Sequence, residues 1–114
     1  MTVAQIHAKQ EAATGEEFER LFRAFRFARG QWEVAYNDPG RPDGLSDEEN
    51  NRFSEAQYGA MLAFLAHPAW TPQKLAKKLR VVRDQEAWEC DSAPEIMARL
   101  CVDAQWIASR FRGR

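Results

Sequence analysis

The stretch HPAWTPQKLAKKL, His67 to Leu79, decides how this chain folds. Pro68 disfavours helical geometry in the residue before it, so a helix arriving from the N-terminal side ends there. Thr71 then offers a hydroxyl to free backbone amides, and Pro72 takes a first helical position, where its missing N–H costs nothing. The stretch is a corner between two helices, short enough to make them neighbours.

Working outward, three more helix starts carry caps. Thr14-Gly15-Glu16-Glu17 and Ser46-Asp47-Glu48-Glu49 fit the S/T-x-x-E box, in which the hydroxyl bonds a free amide and the glutamate reaches back. Ser92-Ala93-Pro94-Glu95 is the third, with proline in the first turn. Each start feeds an apolar pattern at i, i+3, i+4, i+7 spacing. Phe18, Leu21, Phe22, Phe25, Ala28, Trp32, Ala35 and Tyr36 form the first, and Phe53, Ala56, Ala60, Met61, Phe64 and Leu65 the second. Leu75, Ala76, Leu79 and Val82 make the third, and Ile96, Met97, Leu100, Cys101, Ala104, Ile107, Ala108 and Phe111 the fourth. No period of two is sustained, so no sheet is expected. Residues 37–44, NDPGRPDG, are dense in turn formers and form a loop.

These signals predict an all-α protein, a small four-helix bundle with short connections, its helices near 15–36, 47–65, 72–86 and 93–111. Residues 1–13 form an N-terminal arm or a short extra helix, and 14–114 a single bundle domain. The expected core is Phe18, Leu21, Phe22, Phe25, Trp32, Ala60, Met61, Phe64, Leu75, Leu79, Ile96, Leu100, Ala104 and Ile107.

Composition narrows the roles. With 114 residues and a net charge of −1, the chain has no global charge excess to draw it to nucleic acid or anionic membrane. No window approaches about 18 uninterrupted apolar residues, and no secretory leader is legible. A cytoplasmic protein with Cys90 and Cys101 as reduced thiols is the expectation. His7, His67, Cys90 and Cys101 have no metal-ligand spacing, and there is no phosphate loop or dinucleotide fingerprint. No enzyme, metal or cofactor is expected.

Charge is nevertheless uneven. Lys74, Lys77, Lys78, Arg80 and Arg83 lie between 71 and 83 without an acid, and the C-terminal tail adds Arg110, Arg112 and Arg114. Residues 43–55 carry five acids and one arginine. TPQKLAKKLRVV resembles the first helix of a helix-turn-helix, yet Arg80 stands at the turn glycine and VVRDQEAW lacks a second cap, so a continuing helix explains it better. With Leu75, Leu79 and Val82 inward, Lys74, Lys77 and Lys78 project outward. Of the four tryptophans, Trp32, Trp70 and Trp88 read as core or loop packing. Trp106 falls off the stripe of its helix and, if exposed, is a candidate anchor for a partner.

Trp32 and Tyr36 late in a first helix, LAHPAWTPQKLAKKL from Leu65 to Leu79, and IMARLCVDAQWIA from Ile96 to Ala108 occur in that order. This order resembles a family of small helical proteins found in alphaproteobacterial genomes and their prophages. The likeness covers about residues 18–108. It implies no catalytic residues, and it implies a phage-related accessory protein acting by binding. The expected function is a non-enzymatic protein-binding module with a protein partner of acidic character. The alternative is a nucleic-acid-binding protein using helix 72–86 and the basic tail. The candidate contact residues are Lys74, Lys77, Lys78, Arg80, Arg83, Trp106, Arg110 and Arg112.

Overall fold

The computed structural model describes residues 2–110. Among the described residues there are four α-helices and no strand: α1 (Val3–Tyr36), α2 (Asp47–Ala66), α3 (Pro72–Asp84) and α4 (Ala93–Arg110). One turn of 3-10 helix, Ala87–Glu89, lies between α3 and α4 in sequence. The fold is all-α, as the periodicities predict.

Local chemistry explains the helix ends, with two corrections. The Thr14 box does not start α1, which runs unbroken through Thr14 and Gly15. The cap is Thr2, whose Oγ1 accepts from Gln5 N at 3.1 Å while its own N donates to Gln5 Oε1 at 2.7 Å. This is a capping box written with glutamine. From Val3 onward the expected arm or short extra helix is therefore the start of α1 itself.

At α2 the box forms as read, Glu49 N donating to Ser46 Oγ at 3.1 Å and Ser46 N to Glu49 Oε1 at 3.4 Å. At α3, extended Thr71 accepts from Lys74 N at 3.2 Å. That helix stops at Asp84 rather than near 86, because Glu86 turns left-handed at φ 51°, ψ 44°. In the loop, Asp38 Oδ1 accepts from Gly40 N at 2.8 Å, and Gly44 supplies a φ of 75° that other residues rarely adopt.

The chain divides into two compact units. One comprises the described residues of Met1–Phe18 and Leu65–Arg114, the other Glu19–Phe64. The first has a core of Phe18, Leu65, Ala69, Val81, Val82, Ala87, Ile96 and Leu100, with the 3-10 turn packed on α3 and α4. The phase of α3 differs from the predicted stripe. Lys78, Val81 and Val82 are buried and Leu75 half-buried, whereas Leu79 is 49% exposed and Ala76 also faces out. On α4 the inward residues are Ile96, Leu100 and Asp103, so Ala104 and Cys101, both expected inside, are exposed. Trp88 is exposed as well, contrary to the packing role expected for it.

The second unit buries Phe25, Met61 and Phe64, with the Phe22 ring 5.2 Å from that of Phe64. Leu21, Trp32 and Ala60 are half-buried, and Trp32 Nε1 donates to Asn50 Oδ1 at 3.0 Å. Arg41 pairs with Glu49 at 2.5 Å. Tyr36, at the end of the predicted stripe, is exposed, as are Phe27 and Val34, which the stripe omits.

Candidate functional site

The basic residues of α3 do not form one outward face. Lys78, expected to project into solvent, is completely buried. The ridge that faces inward on α3 runs through Leu75, Lys78, Val81 and Val82, and this places the lysine stem in the apolar interior. Its Nζ donates to Asp103 Oδ2 at 2.6 Å and to the Leu65 carbonyl at 2.9 Å. Asp103, also fully buried, takes three more donors on Oδ1: Ala69 N at 3.1 Å and Arg99 Nε and Nη2 at 3.2 and 3.0 Å. Burial pushes the Lys78 ammonium below its ordinary pKa, the Asp103 carboxylate opposes that shift, and the positive Arg99 adds to it.

This cluster ties the end of α2, the corner before α3, α3 itself and α4 to a single carboxylate. Lys78 and Asp103 are absent from the linings of both grooves described below. With no access for a reactant, the arrangement is a structural tie rather than a reactive centre. Asp103 was legible after the fact. It continues the Ile96–Leu100 face of α4, and a carboxylate on an apolar face needs a buried cation.

The other basic residues are distributed. Lys74 is half-buried with its Nζ 5.9 Å from the Phe18 ring centroid, and its Cε and Nζ lie beside Gly15. Arg83 pairs with its neighbour Asp84 at 3.0 Å, and Arg80 is exposed. Lys77 is half-buried. Arg110 pairs with Glu11. Arg112 lies outside the described residues.

Trp106, whose exposure the sequence leaves open, reaches the surface. It is 44% exposed, and its ring centroid lies 5.3 Å from that of Trp70 at an interplanar angle of 32°. It walls a groove of about 460 Å³ with Ser109 and Arg110, facing Ala4, His7, Ala8 and Glu11 of α1. A second groove of about 410 Å³ is lined by Trp70, Pro68 and Lys74 against Ala12 and Gly15. Both linings include Ala8, Glu11 and Arg110. On α1 the alanines at positions 4, 8 and 12 recur on one helical face, so a small-residue floor meets an aromatic wall. Such a surface offers apolar contact area, an indole N–H and charges of both signs.

The α1 side of these grooves escapes a reading of the sequence that treats residues 1–13 as an arm or a separate short helix rather than as the first turns of α1. The Thr2-x-x-Gln5 box was the signal that places them on a helix. No group of His, Cys, Asp and Glu among the described residues is arranged to hold a metal ion. No helix among them is long and apolar enough to cross a membrane. Compared with family models, curated proteins and solved structures, the chain matches none of them.

Proposed function

We propose that this protein is a non-enzymatic protein-binding module that docks its partner on the groove walled by Trp106. The observation that carries the proposal is the partly exposed indole, held on Trp70 at the edge of a groove. A tryptophan braced by a second ring loses little freedom on binding, which is the character of an interface anchor. Lys74 lies in the lining of the adjoining groove, where Arg110 is already paired with Glu11, and favours a partner that presents a carboxylate next to an apolar side chain. A cytoplasmic location and a role associated with a phage or prophage belong to the same proposal. The phage association rests on the resemblance alone.

Paired capture from the host tests it. A partner retained by the wild-type chain and lost with Trp106→Ala supports the module, and a set of captured proteins unchanged by that substitution contradicts it. The alternative, nucleic-acid binding by the basic helix and tail, is weakened by the burial of Lys78. A mobility shift with duplex DNA and with RNA discriminates the two. Binding that is tight at low salt and falls steeply as salt rises would favour the alternative.

A further inference from the structure

A second surface, in the Glu19–Phe64 unit, has no role in the binding reading above. Phe27 and Val34 of α1 are 66% and 74% exposed, although both are large apolar side chains. With Gly30, Gln31, Asp38 and Phe53 of α2 they line a groove of about 520 Å³. Gly30 stands in the helix interior, where glycine weakens a helix, and a Cβ added there would meet nothing within 4 Å. The space over Gly30 is open in a single copy, and the missing Cβ lets another backbone approach closely.

The pattern of residues around Gly30 names what approaches. Taken about the midpoint of Gly30 and Gln31, Phe27 is as far on one side as Val34 is on the other, and Arg23 as far as Asp38. Spacings of three, four and seven residues keep Arg23, Phe27, Gly30 and Val34 on one helical face, and Asp38, two residues past the end of α1, lines the same groove. Two copies of α1 crossing antiparallel at that midpoint set Phe27 of each against Val34 of the other. The same crossing sets each Arg23 against an Asp38. The charges are complementary only in the antiparallel sense, because a parallel pairing brings like charges together. Arg23 and Asp38 are both exposed. Asp38 Oδ1 accepts from Gly40 N, and a carboxylate has acceptor capacity beyond that one bond.

We infer that the Phe27–Gly30–Val34 face is a self-association surface, whose occupant is a second copy of this chain related by a two-fold axis. The interface is isologous, so each contact occurs twice and each substitution acts twice.

Sedimentation of the full chain from micromolar to submillimolar concentration tests this. The wild type is expected to dimerise. Val34→Glu, a change at an exposed position, is expected to leave a folded monomer. Arg23→Glu alone and Asp38→Arg alone place like charges opposite each other, and each is expected to weaken the dimer at least about tenfold. An equimolar mixture of those two variants restores both ion pairs and is expected to dimerise nearly as well as the wild type. Gly30→Ala is expected to weaken association, whereas Gly59→Ala, at another open helical glycine outside the groove, leaves it unchanged. A wild-type chain that stays monomeric throughout the series overturns the inference. So does a Val34→Glu dimer as tight as the wild type, or a mixture that remains monomeric.

Discussion

Lys78 Nζ lies 2.6 Å from Asp103 Oδ2, and neither side chain has any exposure to solvent. Removing one partner of a buried pair leaves the other charge without compensation, which typically costs several kcal/mol. Asp103→Ala is therefore expected to destabilise the protein by about 3–5 kcal/mol. The double change Lys78→Met with Asp103→Leu should lose less than the sum of the singles, because no fully buried charge is left unpaired and Arg99, which loses its partner, reaches solvent. Urea unfolding of the wild type, Asp103→Ala, Lys78→Met, Asp103→Leu and the double variant checks both statements. Additive losses, or a single-variant loss below about 1 kcal/mol, would contradict the tie.

Thr71 caps α3 through the bond from Lys74 N. Thr71→Ala is expected to cost about 1 kcal/mol, and Thr71→Ser to recover most of it. The unfolding midpoint in urea measures this directly. An unchanged midpoint for the alanine variant would show that the cap contributes nothing.

Glu86 holds a left-handed conformation without a side-chain cap bond. The strain of that geometry outweighs the entropy that glycine adds to the unfolded chain. Glu86→Gly should stabilise the protein by about 0.5–1 kcal/mol. A thermal melt reads the effect, and a fall in midpoint would sink the claim.

Glu49 carries a pH dependence. Hydrogen bonds from Arg41 and then from Ser46 hold its carboxyl below the ordinary value of 4.5. A carboxylate depressed in the folded state contributes stability above its unfolded pKa and loses it as pH falls through the folded value. The Glu49 contribution should therefore be complete above about pH 4.5 and fade below it. Carbon-detected NMR titration of the Glu49 carboxyl should show the lowered midpoint, and Arg41→Ala should bring it back up. A midpoint at or above the ordinary value in the wild type would refute the assignment.

The caps at Ser46 and Thr71 were legible because capping is local: donor and acceptor sit within three residues. The all-α class follows from helical periodicity for the same reason. The phase of α3 was not legible, because a lysine at an inward position reads as polar and therefore outward. Only Asp103, distant in sequence, makes its burial tolerable. Taking Leu79 as core and Lys78 as surface was one error made twice, since moving the stripe by one residue exchanges them. The start of α1 was misplaced because the Thr14 box stands at the head of the strong apolar stripe, whereas the Thr2-x-x-Gln5 box precedes residues with little apolar periodicity. Trp106 was legible as lying off the apolar stripe of α4, but its exposure was not, and its support from Trp70 spans the corner before α3 and leaves no local trace.

The most direct test of the binding account is calorimetric titration of a partner captured by the wild-type chain, repeated with Trp106→Ala and with Arg80→Glu. An anchor in a groove predicts that Trp106→Ala weakens binding by about 30-fold or more, equivalent to about 2 kcal/mol. Arg80→Glu, exposed on α3 and outside the linings of both tryptophan-walled grooves, should stay within about threefold of the wild type. Wild-type affinity in Trp106→Ala, with the loss falling on Arg80→Glu instead, would contradict the account and return the interface to the basic helix.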